Sequence, residues 1–443
     1  MQKLFGTDGV RGVVDERTSQ LCFKIGKTLG IYLNQNKQNK IVIAKDTRQT
    51  CDMMLTALSC GLMCQGVNVV YAGVMTTPAL SFLTKTQKFN LGVMITASHN
   101  TPEYNGVKIF DSLGNKPSAK LEQHLQKIYA HINRYKNVDY KTYGKFTSKQ
   151  KLKYKYINYL KQFLKDFYFE DKVCFDLSNG AANFIIKPLL NHFKNYVIIG
   201  DKTKGSLVNH NCGATNIPTL QQAVINNNCK YGFAYDGDAD RVIMVDKLGK
   251  VIDGDDILYI LALYLKQNKL LHNNTVVGTI MANYGLQEAF TKQNINFVRV
   301  KVGDKYIVDY INKHNLSLGG EQAGHIIIPS LTNTGDGVLV SLVLCKAISF
   351  YKDNFDDILK DITKYPQVIK NIKVNQDKKG NILSSTKLQE CITLCESLLL
   401  DDGRIVVRAS GTEPVIRVMI EGKDFELINK LADTIINTIQ QLN

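Results

Sequence analysis

Short β-branched runs alternate with amphipathic stretches through most of this 443-residue chain, and no other feature restricts its fold as much. Strand period giving way to helix period, again and again, argues for α/β units built on parallel strands. In the first third, Ile41–Lys45, Val67–Ala72 and Leu91–Thr96 read as buried strands, with helices over Met53–Gln65 and Ala79–Lys85. A second unit begins near Lys155, with strands at Val173–Leu177 and Gly232–Asp236 and a helix after Gly180. A third carries strands at Val276–Ile280 and Phe297–Val302, a helix after Tyr284 and another from Asp336 to Phe350. From about Tyr365 the pattern changes. Strands at Arg404–Arg408 and Val415–Glu421 precede a closing helix from Asp424, which reads as a smaller α+β module. Length supports this division, because single cores rarely grow beyond about 250–300 residues. The expected domains are 1–152, 153–252, 253–364 and 365–443.

Composition removes several function classes. Hydrophobic residues make up 44% and charged residues 21%, an ordinary globular balance. No apolar run approaches the roughly 20 residues that span a bilayer. The opening Met1–Gly12 mixes Lys3, Asp8 and Arg11 with glycines and does not read as a signal peptide, so a cytoplasmic protein with no membrane partner is expected. Ten scattered cysteines form no Cys-x-x-Cys pair; Cys60/Cys64 and Cys391/Cys395 stand four apart in helix-like stretches and read as reduced core thiols. The net charge of +15 is mostly lysine spread along the chain. Its densest stretch, Lys136 to Lys172, interleaves Lys and Tyr and reads as a solvated inter-domain helix. Nothing interleaves aromatics with arginines as single-stranded nucleic-acid binding requires, and no nucleic-acid partner is expected.

Four sites carry chemistry. Thr96-Ala-Ser98-His99-Asn100 follows an apolar strand, which places its side chains at the carboxyl edge of a sheet, where α/β proteins bind ligands. Alone, this segment reads first as a polar turn, because an unassisted hydroxyl is a poor nucleophile. Asp236-Gly-Asp238-Ala-Asp240-Arg241 also follows a strand. Alternate residues on a straight strand lie about 6.6 Å apart, too far for three carboxylates to reach one ion. Gly237 and Ala239 allow a loop that gathers them. An all-oxygen set suits a hard cation. The spacing resembles the start of a calcium-binding EF-hand loop, but its twelfth position is Lys247 instead of glutamate and strands replace the helices, so Mg²⁺ ranks above Ca²⁺.

Gly319-Gly-Glu321-Gln322-Ala-Gly-His325 offers backbone that a ligand can approach, with Glu321 and His325 able to hold sugar hydroxyls; alone it is a weak signal. Arg408-Ala-Ser410-Gly411-Thr412-Glu-Pro, with Arg417 beyond it, concentrates phosphate donors: two guanidinium groups, two hydroxyls and a turn of backbone N–H groups. A hydroxyl, a hard metal, a sugar grip and a separate phosphate grip fit the movement of phosphate within a sugar phosphate. No Gly-x-x-x-x-Gly-Lys-Ser/Thr loop equips the chain for a nucleotide.

At these residues the sequence resembles the α-D-phosphohexomutase superfamily, essentially from end to end. The shared segments include Phe5-Gly-Thr-Asp-Gly-Val-Arg-Gly12, Thr-Ala-Ser98-His-Asn, Asn105-Gly-Val-Lys108 and Asp236-Gly-Asp-Ala-Asp-Arg. They continue with Val302-Gly-Asp304-Lys305, Gly-Gly-Glu321-Gln, Thr334-Gly-Asp-Gly337 and Arg408-Ala-Ser-Gly-Thr-Glu-Pro. The resemblance implies three similar α/β domains with mixed or parallel sheets and a smaller C-terminal α+β domain around a central cleft. It implies an isomerase working through phosphoserine at Ser98, with Asp236, Asp238, Asp240 and that phosphate holding Mg²⁺. Lys108 and Arg11 are implied as acid/base or charge-stabilising partners, His99 as a further catalytic residue beside Ser98, and Arg241 as a stabiliser near the metal. Glu321, Gln322 and His325 are implied in sugar binding. Arg408, Ser410, Gly411, Thr412 and Arg417 are implied in holding the phosphate that does not react. A phosphosugar substrate and a bisphosphorylated sugar as intermediate or activator follow, with monomer or homodimer left open. Glu321-Gln322 and the Ser-Gly-Thr-Glu-Pro order favour the glucosamine branch, which supplies amino-sugar nucleotides and peptidoglycan precursors, over the glucose and mannose branches. Two departures stand out: Ala323 where serine is expected and Ala239 where glycine is frequent.

Overall fold

The structure is a computed structural model that describes residues 9–375, 377–400, 402–409 and 415–443. It divides into two compact units, 1–279 with 300–355, and 280–299 with 356–443.

The first unit contains three sheets that repeat one device. In a six-stranded sheet the order is Val10–Val13, Tyr104–Phe110, Leu91–Ile95, Lys40–Lys45, Asn68–Val74, Phe146–Ser148. Leu91–Ile95 runs parallel to Lys40–Lys45 and antiparallel to Tyr104–Phe110, with Met94 opposite Lys108. In a five-stranded sheet Tyr231–Tyr235 runs parallel to Val173–Asp176 and antiparallel to Val242–Asp246. In the third, Gly319–Gly320 pairs parallel with Thr275–Thr279 and antiparallel with Ile326–Ile327. Each time, a parallel strand ends in a loop that returns as its antiparallel neighbour. Those three loops are the Ser98, aspartate and Glu321–His325 segments.

The central strands are apolar along their whole length because both faces are covered, and every residue of Leu91–Ile95 and Tyr231–Tyr235 is buried. The helix Thr77–Thr86 starts where Thr76 Oγ1 accepts from the Ala79 N–H at 3.3 Å and Pro78 occupies the first turn. Helices Thr18–Gln35 and Cys51–Met63 pack beside the same sheet, around Ile25, Leu29, Leu58 and Leu62.

Two expectations are corrected. Lys136 to Lys172 is not one solvated helix. Phe146–Ser148 extends the first sheet as a parallel edge strand beside Asn68–Val74, with Phe146 stacked on Tyr71, and only Lys153–Phe163 is α-helical. Its Tyr156, Ile157 and Leu160 are buried, an apolar stripe that the surrounding lysines concealed. The ten free cysteines are not all core thiols either: Cys60 is exposed, and Cys64 and Cys391 are half-buried.

In the second unit an antiparallel sheet has Val415–Gly422 between Gln367–Lys373 and Gly403–Ala409. Helices Thr386–Leu399 and Phe425–Leu442 bury Leu388, Ile428 and Ile435 with Ile416, Val418 and Ile420. Asp424 caps the closing helix by accepting from the N–H groups of Glu426 and Leu427. No described helix is long and apolar enough to cross a membrane.

Candidate functional site

The sequence places Ser98 and the three aspartates on different sheets, and the fold brings their loops together. Ser98 Oγ donates to Asp236 Oδ2 at 2.6 Å. Asp236, Asp238 and Asp240 each offer a carboxylate oxygen, and those atoms lie within 4.8 Å of one another. All three side chains are buried, and so is Ser98, at 1% exposure. The polar turn that carries Ser98 is a buried one, packed against the aspartate loop. Gly237 makes the approach possible, because a Cβ there would stand 2.7 Å from the Ser98 carbonyl oxygen. Ala239 adopts a left-handed φ of 55°, so an alanine holds a backbone conformation that glycine takes without strain.

Charge is concentrated and mostly matched. Lys108 Nζ lies 2.8 Å from Asp238 Oδ2 and 2.7 Å from Asp240 Oδ2. Thr77 donates its hydroxyl to Asp238 and its N–H to the Asp238 carbonyl. Arg241 Nε lies 4.0 Å from Asp240 Oδ1, and its N–H donates to Asp236 Oδ1. Burial, then the Asp240 and Asp238 carboxylates, push the Asp236 carboxyl well above its usual range. Burial acts the same way on Asp240, but Lys108, His325 and Arg241 overcome it and hold that carboxyl well below its usual range.

His99 and His325 respond in opposite directions. Burial, with Arg241 and Arg11 nearby, lowers His99 to about 3, so its ring is neutral. Its Nδ1 lies 3.5 Å from Ser98 Oγ. His325 sits between two carboxylates, with Nδ1 3.6 Å from Asp240 Oδ1 and Nε2 3.2 Å from Asp304 Oδ2. Burial works against a charged ring there, yet the carboxylates raise it to about 10. The expected sugar grip is therefore engaged on both nitrogens by acids. Lys116 adds a second cation to Asp304 at 2.5 Å. Glu321 Oε1 accepts from the Gly303 N–H at 3.1 Å, and Gln322 Nε2 lies 3.5 Å from Asp253 Oδ2. Arg11 Nη1 donates to Asn100 Oδ1 at 2.9 Å.

Four supports were not singled out from sequence: Asp46, Arg48, Thr77 and Asn209. Arg48 is 1% exposed and Asp46 fully buried; Arg48 Nε donates to Asp46 Oδ2 at 3.1 Å. A signal existed. Asp46-Thr-Arg48 follows the strand Lys40–Lys45, at the same carboxyl edge that drew attention to Ser98.

In the second unit Arg408 and Arg417 stand directly opposite each other on adjacent antiparallel strands. Burial and the Arg417 charge lower the Arg408 guanidinium from its ordinary value. Like charges facing across a sheet destabilise it, and a doubly charged anion removes that repulsion. Ser410, Gly411 and Thr412 lie outside the described residues.

The aspartate set passes a direct test for a hard divalent ion. It is all oxygen, and Asp238 Oδ1 is buried with no hydrogen-bond donor among the described residues.

Comparison with known proteins follows the domain order of the chain. Models of the phosphoglucomutase/phosphomannomutase family match in order: α/β/α domain I over residues 2–137, domain II over 154–249, domain III over 253–365 and the C-terminal domain over 369–438. A phosphoglucosamine mutase of Caldicellulosiruptor saccharolyticus is 42% identical, covering 99% of both chains. One from Clostridioides difficile is 38% identical, covering 100% of this chain and 99% of its own. Among solved structures, a phosphoglucomutase/phosphomannomutase family protein of Burkholderia thailandensis has the same fold, with a TM-score of 0.83 at 20% identity over 100% of this chain and 98% of its own. The Aspergillus fumigatus N-acetylphosphoglucosamine mutase, solved with GlcNAc-6P and magnesium, has a TM-score of 0.69 at 18% identity over 99% of this chain and 96% of its own. Four ordered domain matches and full-length relatives of this similarity place the chain in the phosphoglucomutase/phosphomannomutase family, among the phosphoglucosamine mutases.

Proposed function

We propose that this protein interconverts glucosamine 6-phosphate and glucosamine 1-phosphate through a phosphorylated Ser98 and a 1,6-bisphosphate intermediate. One observation carries the reading: a serine hydroxyl lies 2.6 Å from a member of a buried three-aspartate cluster contributed by another sheet. Asp236, Asp238 and Asp240, with the Ser98 phosphate, would hold Mg²⁺, which supplies charge neutralisation and polarisation of the phosphoryl oxygens.

The phosphoryl group leaves Ser98 Oγ for the free hydroxyl of the bound sugar phosphate, whose proton passes to a base. The bisphosphate then turns so that its other phosphate faces Ser98. Ser98 Oγ takes that phosphoryl as its own proton passes to the base, the P–O bond to the sugar breaks, the freed sugar oxygen gains a proton, and the isomer departs. Lys108, whose Nζ lies between two buried carboxylates, serves as an acid/base or charge-stabilising partner in this arrangement. Arg241 and Arg11 add positive charge beside the loop. Glu321 and Gln322 select the sugar, with His325 nearby between Asp240 and Asp304, and Arg408 and Arg417 with Ser410, Gly411 and Thr412 grip the phosphate that is not reacting. The segments 1–152, 153–252, 253–364 and 365–443 serve as the working domains.

The test is a coupled assay on glucosamine, glucose and mannose 6-phosphates. Glucosamine 6-phosphate is expected to give the highest kcat/KM. A higher value for glucose or mannose phosphate would assign the chain to another branch of its family, and free phosphate as the main product would make it a hydrolase.

A further inference from the structure

The Ser98 turn is held by groups that bind its backbone, while the hydroxyl itself meets Asp236. Ser98 has a φ of 53°, a left-handed conformation that an L-residue keeps only when its surroundings impose it. Its N–H donates to Thr96 Oγ1 at 2.9 Å, and Thr96 in turn donates to Asp46 Oδ2 at 2.7 Å. Its carbonyl accepts from Arg48 Nη2 at 2.9 Å and from Asn209 Nδ2 at 2.7 Å. Two residues on, the Asn100 carbonyl accepts from the same two nitrogens, at 2.7 and 2.9 Å. Arg48 Nη1 also holds the carbonyls of Thr101 and Tyr104.

The two donors come from different places. Arg48 rises from the end of Lys40–Lys45, in the same sheet as Ser98, and is fixed by Asp46. Asn209 lies between Tyr196–Ile199 and the helix Pro218–Asn226, elements that belong with the aspartate loop's sheet, and is 6% exposed. Its own N–H donates at 2.9 Å to the carbonyl of Ser178, just past the strand Val173–Asp176 of that sheet.

We infer that Arg48 and Asn209 are positioning residues: a two-sided clamp on the carbonyls of Ser98 and Asn100 that fixes the serine hydroxyl against Asp236. Arg48 sets the strained turn on its own sheet, and Asn209 sets its register against the aspartates. Both touch this turn through its backbone, so they govern the chemical step and leave sugar affinity alone. The inference rests on Ser98 as the phosphate carrier.

The test uses the full-length protein with Asn209→Ala, Asn209→Asp and Arg48→Lys. Asn209→Asp keeps the shape and loses the donor; Arg48→Lys keeps the charge beside Asp46 and loses the fork. For the Asn209 variants kcat should fall about tenfold to a hundredfold, the scale of a reacting group displaced by about an ångström. KM should stay within about twofold, and free phosphate released per turnover should rise as water reaches a looser phosphoserine. Arg48→Lys should show the same pattern. Unchanged kcat in Asn209→Asp, or a loss confined to KM, overturns the clamp, as does a loss of kcat matched by the fraction unfolded. Intact mass of the parent enzyme separates the two ideas. A phosphoryl group on Ser98 with unaffected variants rejects the clamp alone, whereas active parent enzyme that never carries phosphate rejects the phosphoserine reading beneath it.

Discussion

Lys108→Met removes the cation that Asp238 and Asp240 share and leaves their other partners, Thr77, Arg241 and His325, in place. Lys108 is 3% exposed, with its ammonium 2.8 and 2.7 Å from the two carboxylates. Removing one partner of a buried ion pair costs about 3–5 kcal/mol, because the remaining charge keeps its desolvation penalty. Here two carboxylates remain, beside Asp236, so the upper half of that range is expected in the presence of EDTA. Lys108 neutralises two of the three carboxylates that would hold a metal, so its ammonium and the ion compete for the same negative charge. Its removal should therefore tighten Mg²⁺ binding by the unphosphorylated enzyme at least about tenfold, equivalent to about 1.4 kcal/mol of released competition. Mg²⁺ at a hundred times its Kd would then restore about 2.7 kcal/mol of stability. Turnover should nonetheless be lost. Titration calorimetry of Mg²⁺ into dephosphorylated parent and variant, with chemical denaturation in EDTA and in Mg²⁺, measures each quantity. Equal Mg²⁺ affinity in the two proteins, or a stability loss that Mg²⁺ leaves untouched, refutes the shared-site reasoning.

Ser98→Ala should abolish mutase activity and lower stability by about 1.5–3 kcal/mol, the range for a hydrogen bond to a charged group; near-parent activity in the purified variant rules out the phosphoserine. Arg417→Ala should raise KM by an amount equivalent to about 1.5–3 kcal/mol, and an unchanged KM removes Arg417 from the phosphate grip. His99, lowered from 6.5 to about 3, binds protons more readily in the unfolded chain, so its contribution to stability is complete above 6.5 and declines as pH falls below it. His99→Leu should therefore flatten the stability loss between about pH 7 and about pH 5; an unaltered profile by denaturant titration assigns that loss elsewhere.

The alternation of strand and helix was readable because buried parallel strands such as Leu91–Ile95 and Tyr231–Tyr235 are apolar on both faces. The aspartate loop was readable because three carboxylates close together repel one another unless something holds them. The pairing of that loop with Ser98 is another matter. It joins residues 138 positions apart, and no local period encodes it; the resemblance alone brought them together. Arg48 and Asn209 escaped notice for a related reason. Their partners on the turn are backbone carbonyls, which any sequence presents, so the only mark was the position of Asp46-Thr-Arg48 at a strand's carboxyl edge. Lys153–Phe163 was hidden by composition, since lysines on its outer face masked the stripe of Tyr156, Ile157 and Leu160. The three-residue strand Phe146–Ser148 is too short for a period to show.

The central claim is that Ser98 carries the phosphoryl group, and mapping a labelled phosphoryl tests it most directly. The enzyme is incubated with a hexose 1,6-bisphosphate carrying labelled phosphate, digested and sequenced by mass spectrometry. The account predicts one labelled phosphoryl group on Ser98, absent from Ser98→Ala and returned to substrate when glucosamine 6-phosphate is added. Label on Asp236 or Asp238, or label appearing only as free phosphate while Ser98 stays unmodified, contradicts it.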